Sequence, residues 1–233
     1  MNSTFEISQR QSAILAGSAL LVMVAAVIFA VPFTINHIEP GDALATSQSI
    51  MESEIFYRLG NVGWLIVLVC DILVSWALYV YLKPISKMFS LLAAWFRLVY
   101  TAIFAVALIN LGTVLTYLSG AEYLSIYTSD QIYTQVLILL NSFNSAWLFG
   151  LVFFGIHLFL LGYIAFKSES IPKILGILLM VASFGYIVDS LAFFIFPNYP
   201  DFESTIKAIV AGPNTIGELS FGIWLLVKGG KNG

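Results

Sequence analysis

The chain has 233 residues, 60% of them apolar and 10% charged, with a mean hydropathy of +0.94 and a formal net charge of −3. A soluble domain carries roughly 25% charged residues, so this composition excludes an ordinary water-soluble fold and points to an integral membrane protein. Its Lys and Arg residues form no phosphate-binding stripe, which argues against a nucleic-acid partner. One cysteine, Cys70, and two scattered histidines offer neither an internal disulfide nor the spacing of a metal or haem site.

The first apolar run, about 13–33, is longer than the 7–15 residues of a signal-peptide core and has no net positive charge before it, with Glu6 and Arg10 both in that flank. It is expected to stay as a first span. Residues 34–56 are polar and acidic and form an outer loop. Two further spans are expected at about 59–82 and 91–115, with Pro84 closing the first of them. Residues 119–145 read as a second long outer segment, with Asp130 as a helix N-cap. A helix running from 131 to 166 would measure about 54 Å, so its first part is expected to project, lie on the surface or fold back. The last spans are expected at about 146–166, 172–196 and 204–227, with Ser170 capping the fifth and Pro172 in its first turn. Continuous runs of about 20 apolar residues predict helices and not a barrel. The reading is all-α: one polytopic transmembrane bundle over residues 1–233, with six spans.

Orientation follows from the cations beside the spans. Arg10, Lys83, Lys87, Lys167, Lys173, Lys228 and Lys231 fall at the two termini and the second and fourth loops, against Arg58 and Lys207 opposite. The bias of seven to two puts both termini in the cytoplasm and agrees with an even number of spans. Aromatic belts are expected from Tyr79, Tyr81, Tyr163 and Trp224 inside and from Tyr57, Tyr117, Trp147 and Tyr199 outside.

Several segments carry a family likeness. They are Phe56-Tyr57-Arg58, Leu78-Tyr79 through Lys83-Pro84, Trp95-Phe96-Arg97, and Gly162-Tyr163 leading to Ser170-Ile171-Pro172-Lys173-Ile174-Leu175-Gly176. Gly217-Glu218-Leu219 and Trp224-Leu225-Leu226-Val227 complete the set, which spans nearly the whole chain. In these the chain resembles a family of bacterial multi-pass membrane proteins known only as a domain of unknown function. The resemblance implies the bacterial inner membrane and brings no activity, cofactor or catalytic residue with it.

Charges inside a membrane cost ~2.5–3.5 kcal/mol each on insertion scales and normally face the protein interior. Five residues meet that condition: Asp71, Arg97, His157, Asp189 and Glu218. Counted from the nearest cytoplasmic lysine at ~1.5 Å per residue, Asp71, Arg97, His157 and Glu218 lie ~15–18 Å deep, and Asp189 lies ~24 Å deep. Asp71 and Arg97 stand on helices joined by a short turn, so a contact between them is predicted, with Asn110, Ser183 and Tyr100 as helpers. Gly212, Pro213 and Gly217 are expected to break the sixth helix just outside Glu218, because proline removes a backbone donor. Gly155 and Gly162 are expected to admit a neighbouring helix. Two functions fit this layer: a small-solute or proton-linked site for transport or sensing, or a polar network that locks helix packing. Catalysis is a remote third, since no hydrolase or metal motif occurs, and no cofactor is expected. The partners expected are the lipid bilayer and a small solute or proton.

Overall fold

The structure, a computed structural model, describes residues 7–231, so Glu6 of the N-terminal flank lies outside the described residues. It is helical throughout: α1 (Gln9–Thr34), α2 (Ala43–Glu52), α3 (Glu54–Leu82), α4 (Lys87–Tyr117), α5 (Ser129–Lys167), α6 (Lys173–Ile195) and α7 (Glu203–Val227), with short 3-10 turns at Glu122–Leu124 and Tyr199–Asp201. Among the described residues five helices, α1, α3, α4, α5 and α6, are long and apolar enough to cross a membrane. α7 is not among the five, because Asn214, Thr215, Glu218 and Ser220 dilute its apolar content. The helices group into two compact units. The first comprises residues up to Val22, Cys70–Thr101 and Leu148 onward; the second comprises Met23–Val69 and Ala102–Trp147.

The second unit is built on aromatic packing. Trp64, fully buried, meets Phe104 at 5.7 Å, Phe143 at 6.3 Å and Trp147 at 5.7 Å between ring centroids. Its indole Nε1 donates to Thr34 Oγ1 at 2.9 Å, which satisfies the polar edge a buried tryptophan must place. Residues 34–56 are not a plain loop. Asp42 accepts from the Ala45 N–H at 2.9 Å and so caps α2, whose Thr46, Ser47 and Ile50 are buried.

From Ser129 on, the second outer segment is the first part of α5. Its 39 residues run without interruption, ~58 Å of helix, and it begins at Ser129. The cap is Thr128 and not Asp130: the Gln131 N–H donates to Thr128 Oγ1 at 3.3 Å, and the Thr128 N–H to Gln131 Oε1 at 2.9 Å. That reciprocal box satisfies two of the free donors at a helix start. Val136, Leu140 and Phe143, at helical spacing, are buried inside the second unit, so the segment neither folds back nor lies loose.

The first unit holds Asp71, Arg97, His157, Asp189 and Glu218. Its helices alternate in direction, as three contacts at one end show. Gln9 Nε2 at the start of α1 donates to the Tyr81 carbonyl at the end of α3 (3.1 Å). Phe89 near the start of α4 packs on Tyr163 near the end of α5 (5.4 Å). Arg10 donates to the carbonyls of Leu225 (3.1 Å), Leu226 (2.6 Å) and Gly229 (2.8 Å) at the end of α7. These carbonyls are the unsatisfied ones every helix leaves at its C-terminus, where a cation is also favoured by the helix dipole. α5 and α6 approach closely at Gly162 and Gly176: a Cβ on Gly162 would lie 2.7 Å from the Gly176 carbonyl oxygen. Ser170 is not the cap of α6; Pro172 occupies that place and no side chain bonds there.

Two further expectations change. α7 is continuous from Glu203 to Val227, so Gly212, Pro213 and Gly217 do not break it. One missing donor in a 25-residue helix does not end it when the helix is packed on a neighbour. Gly217 instead serves close approach: a Cβ there would stand 3.0 Å from the Leu178 carbonyl oxygen of α6. Of the expected aromatic belts, Tyr57, Tyr81 and Tyr199 are buried. Tyr57 donates to the Leu111 carbonyl at 3.1 Å, so it acts as a buried tie between α3 and α4.

Candidate functional site

The central feature is an ion pair between Asp71 on α3 and Arg97 on α4, Oδ1 to Nη2 2.6 Å, with side chains 0% and 1% exposed. The short α3–α4 turn makes the two helices antiparallel neighbours, which is why the contact predicted from the sequence forms. Arg97 Nη1 also lies 3.2 Å from His157 Nε2 on α5. Thr101 Oγ1 donates to the Arg97 carbonyl at 2.8 Å, and the guanidinium stands 5.3 Å from the centroid of the Phe154 ring. A cation over an aromatic face gains from the ring quadrupole, most when both are out of water.

The tautomer of His157 follows from its partners. Arginine has donors and no acceptor, so Nε2 must accept. Nδ1 then carries the proton and donates to the Ala93 carbonyl at 2.9 Å. His157 is thus neutral with both nitrogens engaged, and it joins α5 to α4 as a packing residue, not as a base. Ser183, expected as a helper of the Asp71–Arg97 pair, is fully buried and has no hydrogen-bond partner among the described residues.

Glu218 on α7 sits one contact away. Tyr186 on α6 donates to Glu218 Oε1 at 2.7 Å. Tyr186 also packs edge-on against Phe154 (5.2 Å), whose ring lies 4.9 Å from that of Tyr100. Arg97 and Glu218 together line a small, partly open void of ≈ 10 Å³, walled otherwise by Leu20, Leu78, Leu158, Leu161, Leu179 and Phe221, with Glu218 half-buried. All these groups belong to the first unit. Five helices therefore build the site: α3, α4, α5, α6 and α7.

Asp189 is not part of it. Tyr199, just past α6, donates to Asp189 Oδ1 at 2.8 Å, and both are buried. Burial first, and then the bond to Asp189, hold the Tyr199 phenol above its ordinary range. Asn110 stays out too, donating to the Ala107 carbonyl of its own helix at 3.2 Å. Tyr186 and Phe154 were missed as members. The signal for Tyr186 was its match with Tyr100, since each stands thirteen residues after a lysine, Lys173 and Lys87. Nothing in the sequence marks Phe154 among 19 phenylalanines. Outside the spans, His37 bonds Ser49 Oγ at 2.7 Å, and burial lowers its basicity below that of an ordinary imidazole.

A family model described as "Domain of unknown function (DUF4386)" matches residues 15–229. The chain is also similar to an "Uncharacterized protein" of Archaeoglobus fulgidus, 37% identical over 171 residues that cover 73% of this chain and 83% of the relative. No solved structure matches the chain. The matched residues include Asp71, Arg97, His157 and Glu218, and on that near-complete match the chain belongs to the DUF4386 family of domains of unknown function.

Proposed function

We propose that the protein is a six-span inner-membrane protein with both termini in the cytoplasm, in which Glu218 binds and releases a proton beside a fixed Asp71–Arg97–His157 chain. α7 is the sixth span in this reading. Arg10 ties the end of α7 to the start of α1, which supports an even number of crossings. Seven of the nine cations flanking the spans lie at that end, which supports its assignment to the cytoplasm.

The observation that carries the proton reading is the void shared by Arg97 and Glu218. At ≈ 10 Å³ it is near the room one water needs, and far below the roughly 300–1,000 Å³ of small-molecule sites. A proton fits this layer; a larger solute does not. The charges point the same way. With His157 neutral, Asp71, Glu218 and Arg97 leave one negative charge in excess among apolar walls, a costly state unless a proton is bound. Asp71 is matched by Arg97 at 2.6 Å, whereas Glu218 is held by a phenol, so Glu218 is the proton carrier.

Infrared difference spectra of the purified protein, taken across a pH titration, test this. A protonated-carboxyl band is expected that Glu218→Gln abolishes and Asp189→Asn leaves. A band indifferent to Glu218→Gln would sink the assignment. The second reading, in which the charges lock helix packing and do nothing else, is favoured by the Asp71–Arg97–His157 chain itself, buried and internally matched. It would then hold for the whole cluster.

A further inference from the structure

We infer that the groove between the start of α6 and the end of α7 is a docking site for an anionic phospholipid. The groove measures ≈ 460 Å³ and is lined chiefly by Ile174, Leu175, Ile223, Trp224, Val227 and Lys228. Ile174, Ile223 and Val227 are 59%, 51% and 50% exposed, so the chain itself does not cover these walls. From Ser220 to Lys228, both on its rim, the groove follows α7 for ~12 Å.

The order of chemistry along it selects the occupant. Apolar walls run toward one end and stop at a cation, Lys228, on the rim with Pro172 just before α6. A phospholipid has the same order: acyl carbons, then phosphate. Acyl chains alone would meet any apolar face in a bilayer, but a zwitterionic lipid carries no net charge to answer Lys228. Trp224, apolar in body and polar at its indole nitrogen, suits the interface depth at which the two parts of the lipid meet. A lysine near an anionic leaflet adds about five-fold in affinity. This site depends on α7 lying in the membrane and not on proton binding by Glu218.

Trp224 is itself the probe. Protein is reconstituted in bilayers doped with bromine-labelled phosphatidylglycerol or, at the same mole fraction, bromine-labelled phosphatidylcholine. The Trp224 share of the fluorescence is the difference from Trp224→Phe. A roughly five-fold preference for quenching by the anionic lipid is expected, and Lys228→Gln should erase it while leaving the fold intact by circular dichroism. Equal quenching by both lipids, or a preference that survives Lys228→Gln, overturns the site and leaves α7 in the membrane. No quenching by either lipid overturns it differently: the groove is then covered by a second copy of the chain or lies outside the bilayer, which cross-linking of two copies through the groove distinguishes.

Discussion

Arg97 is the residue on which the site turns. A guanidinium cannot shed its charge as a carboxylate can, so in an apolar layer it must be answered by position. Asp71 answers it at 2.6 Å, the neutral imidazole of His157 accepts from it at 3.2 Å, and Phe154 covers one face. Removing one member of a buried pair leaves the other charge uncompensated, at ~3–5 kcal/mol. Asp71→Asn alone is therefore expected to lower the unfolding midpoint and the yield sharply. The double variant Asp71→Asn with Arg97→Gln should recover part of the loss in a thermal-unfolding cycle. Strict additivity of the two single losses would show that the pair contributes nothing as a pair.

At the scale of the element, α5 shows how a local cap sets a long helix. The Thr128–Gln131 box places the helix start at Ser129, and the buried Val136, Leu140 and Phe143 keep the early turns against the second unit. Thr128→Ala is expected to fray residues 129–132, at ~0.5–2 kcal/mol, and to leave the helix beyond them intact. Amide hydrogen exchange reads this directly: faster exchange confined to the first turn is the expected pattern, and unchanged protection there would deny the cap its role. α6 and α7 illustrate the complementary point. Gly217 on α7 lets the two backbones approach closely, which brings Tyr186 within 2.7 Å of Glu218.

For the whole molecule, the testable property is sidedness. The Arg10, Gln9 and Phe89 contacts gather the ends of α1, α3, α4, α5 and α7 in the first unit, and most of the cations flank those ends. In a background with the buried Cys70 replaced, a cysteine at the exposed Ser125 should react with an impermeant thiol reagent added to intact cells. A cysteine at the exposed Ser170 should react after the membrane is opened and not before. The reverse pattern would invert the orientation.

Hydropathy and cation placement were enough to locate all six long helices to within a few residues at most ends, because a bilayer-length apolar run admits few other backbone solutions. The Asp71–Arg97 contact was legible for a related reason: a short turn between two helices leaves their facing residues little freedom. Four features became visible in three dimensions. α2 escaped because a short helix lacks a bilayer-length signal, and for the first half of α5 residue count left its placement open until packing of Val136, Leu140 and Phe143 decided it. Pro213 suggested a break that packing overrode. Tyr57, Tyr81 and Tyr199 looked like interface aromatics, since composition cannot tell a lipid-facing ring from one turned inward to a hydrogen-bond partner. The partition of the charges was likewise decided by tertiary structure. Residue count already set Asp189 higher than Glu218, but the rotation of each helix against its neighbours chose their partners, Tyr199 for one and Tyr186 beside the void for the other. Depth along a helix is set by residue count, but the direction a side chain faces is set by packing against helices distant in the chain.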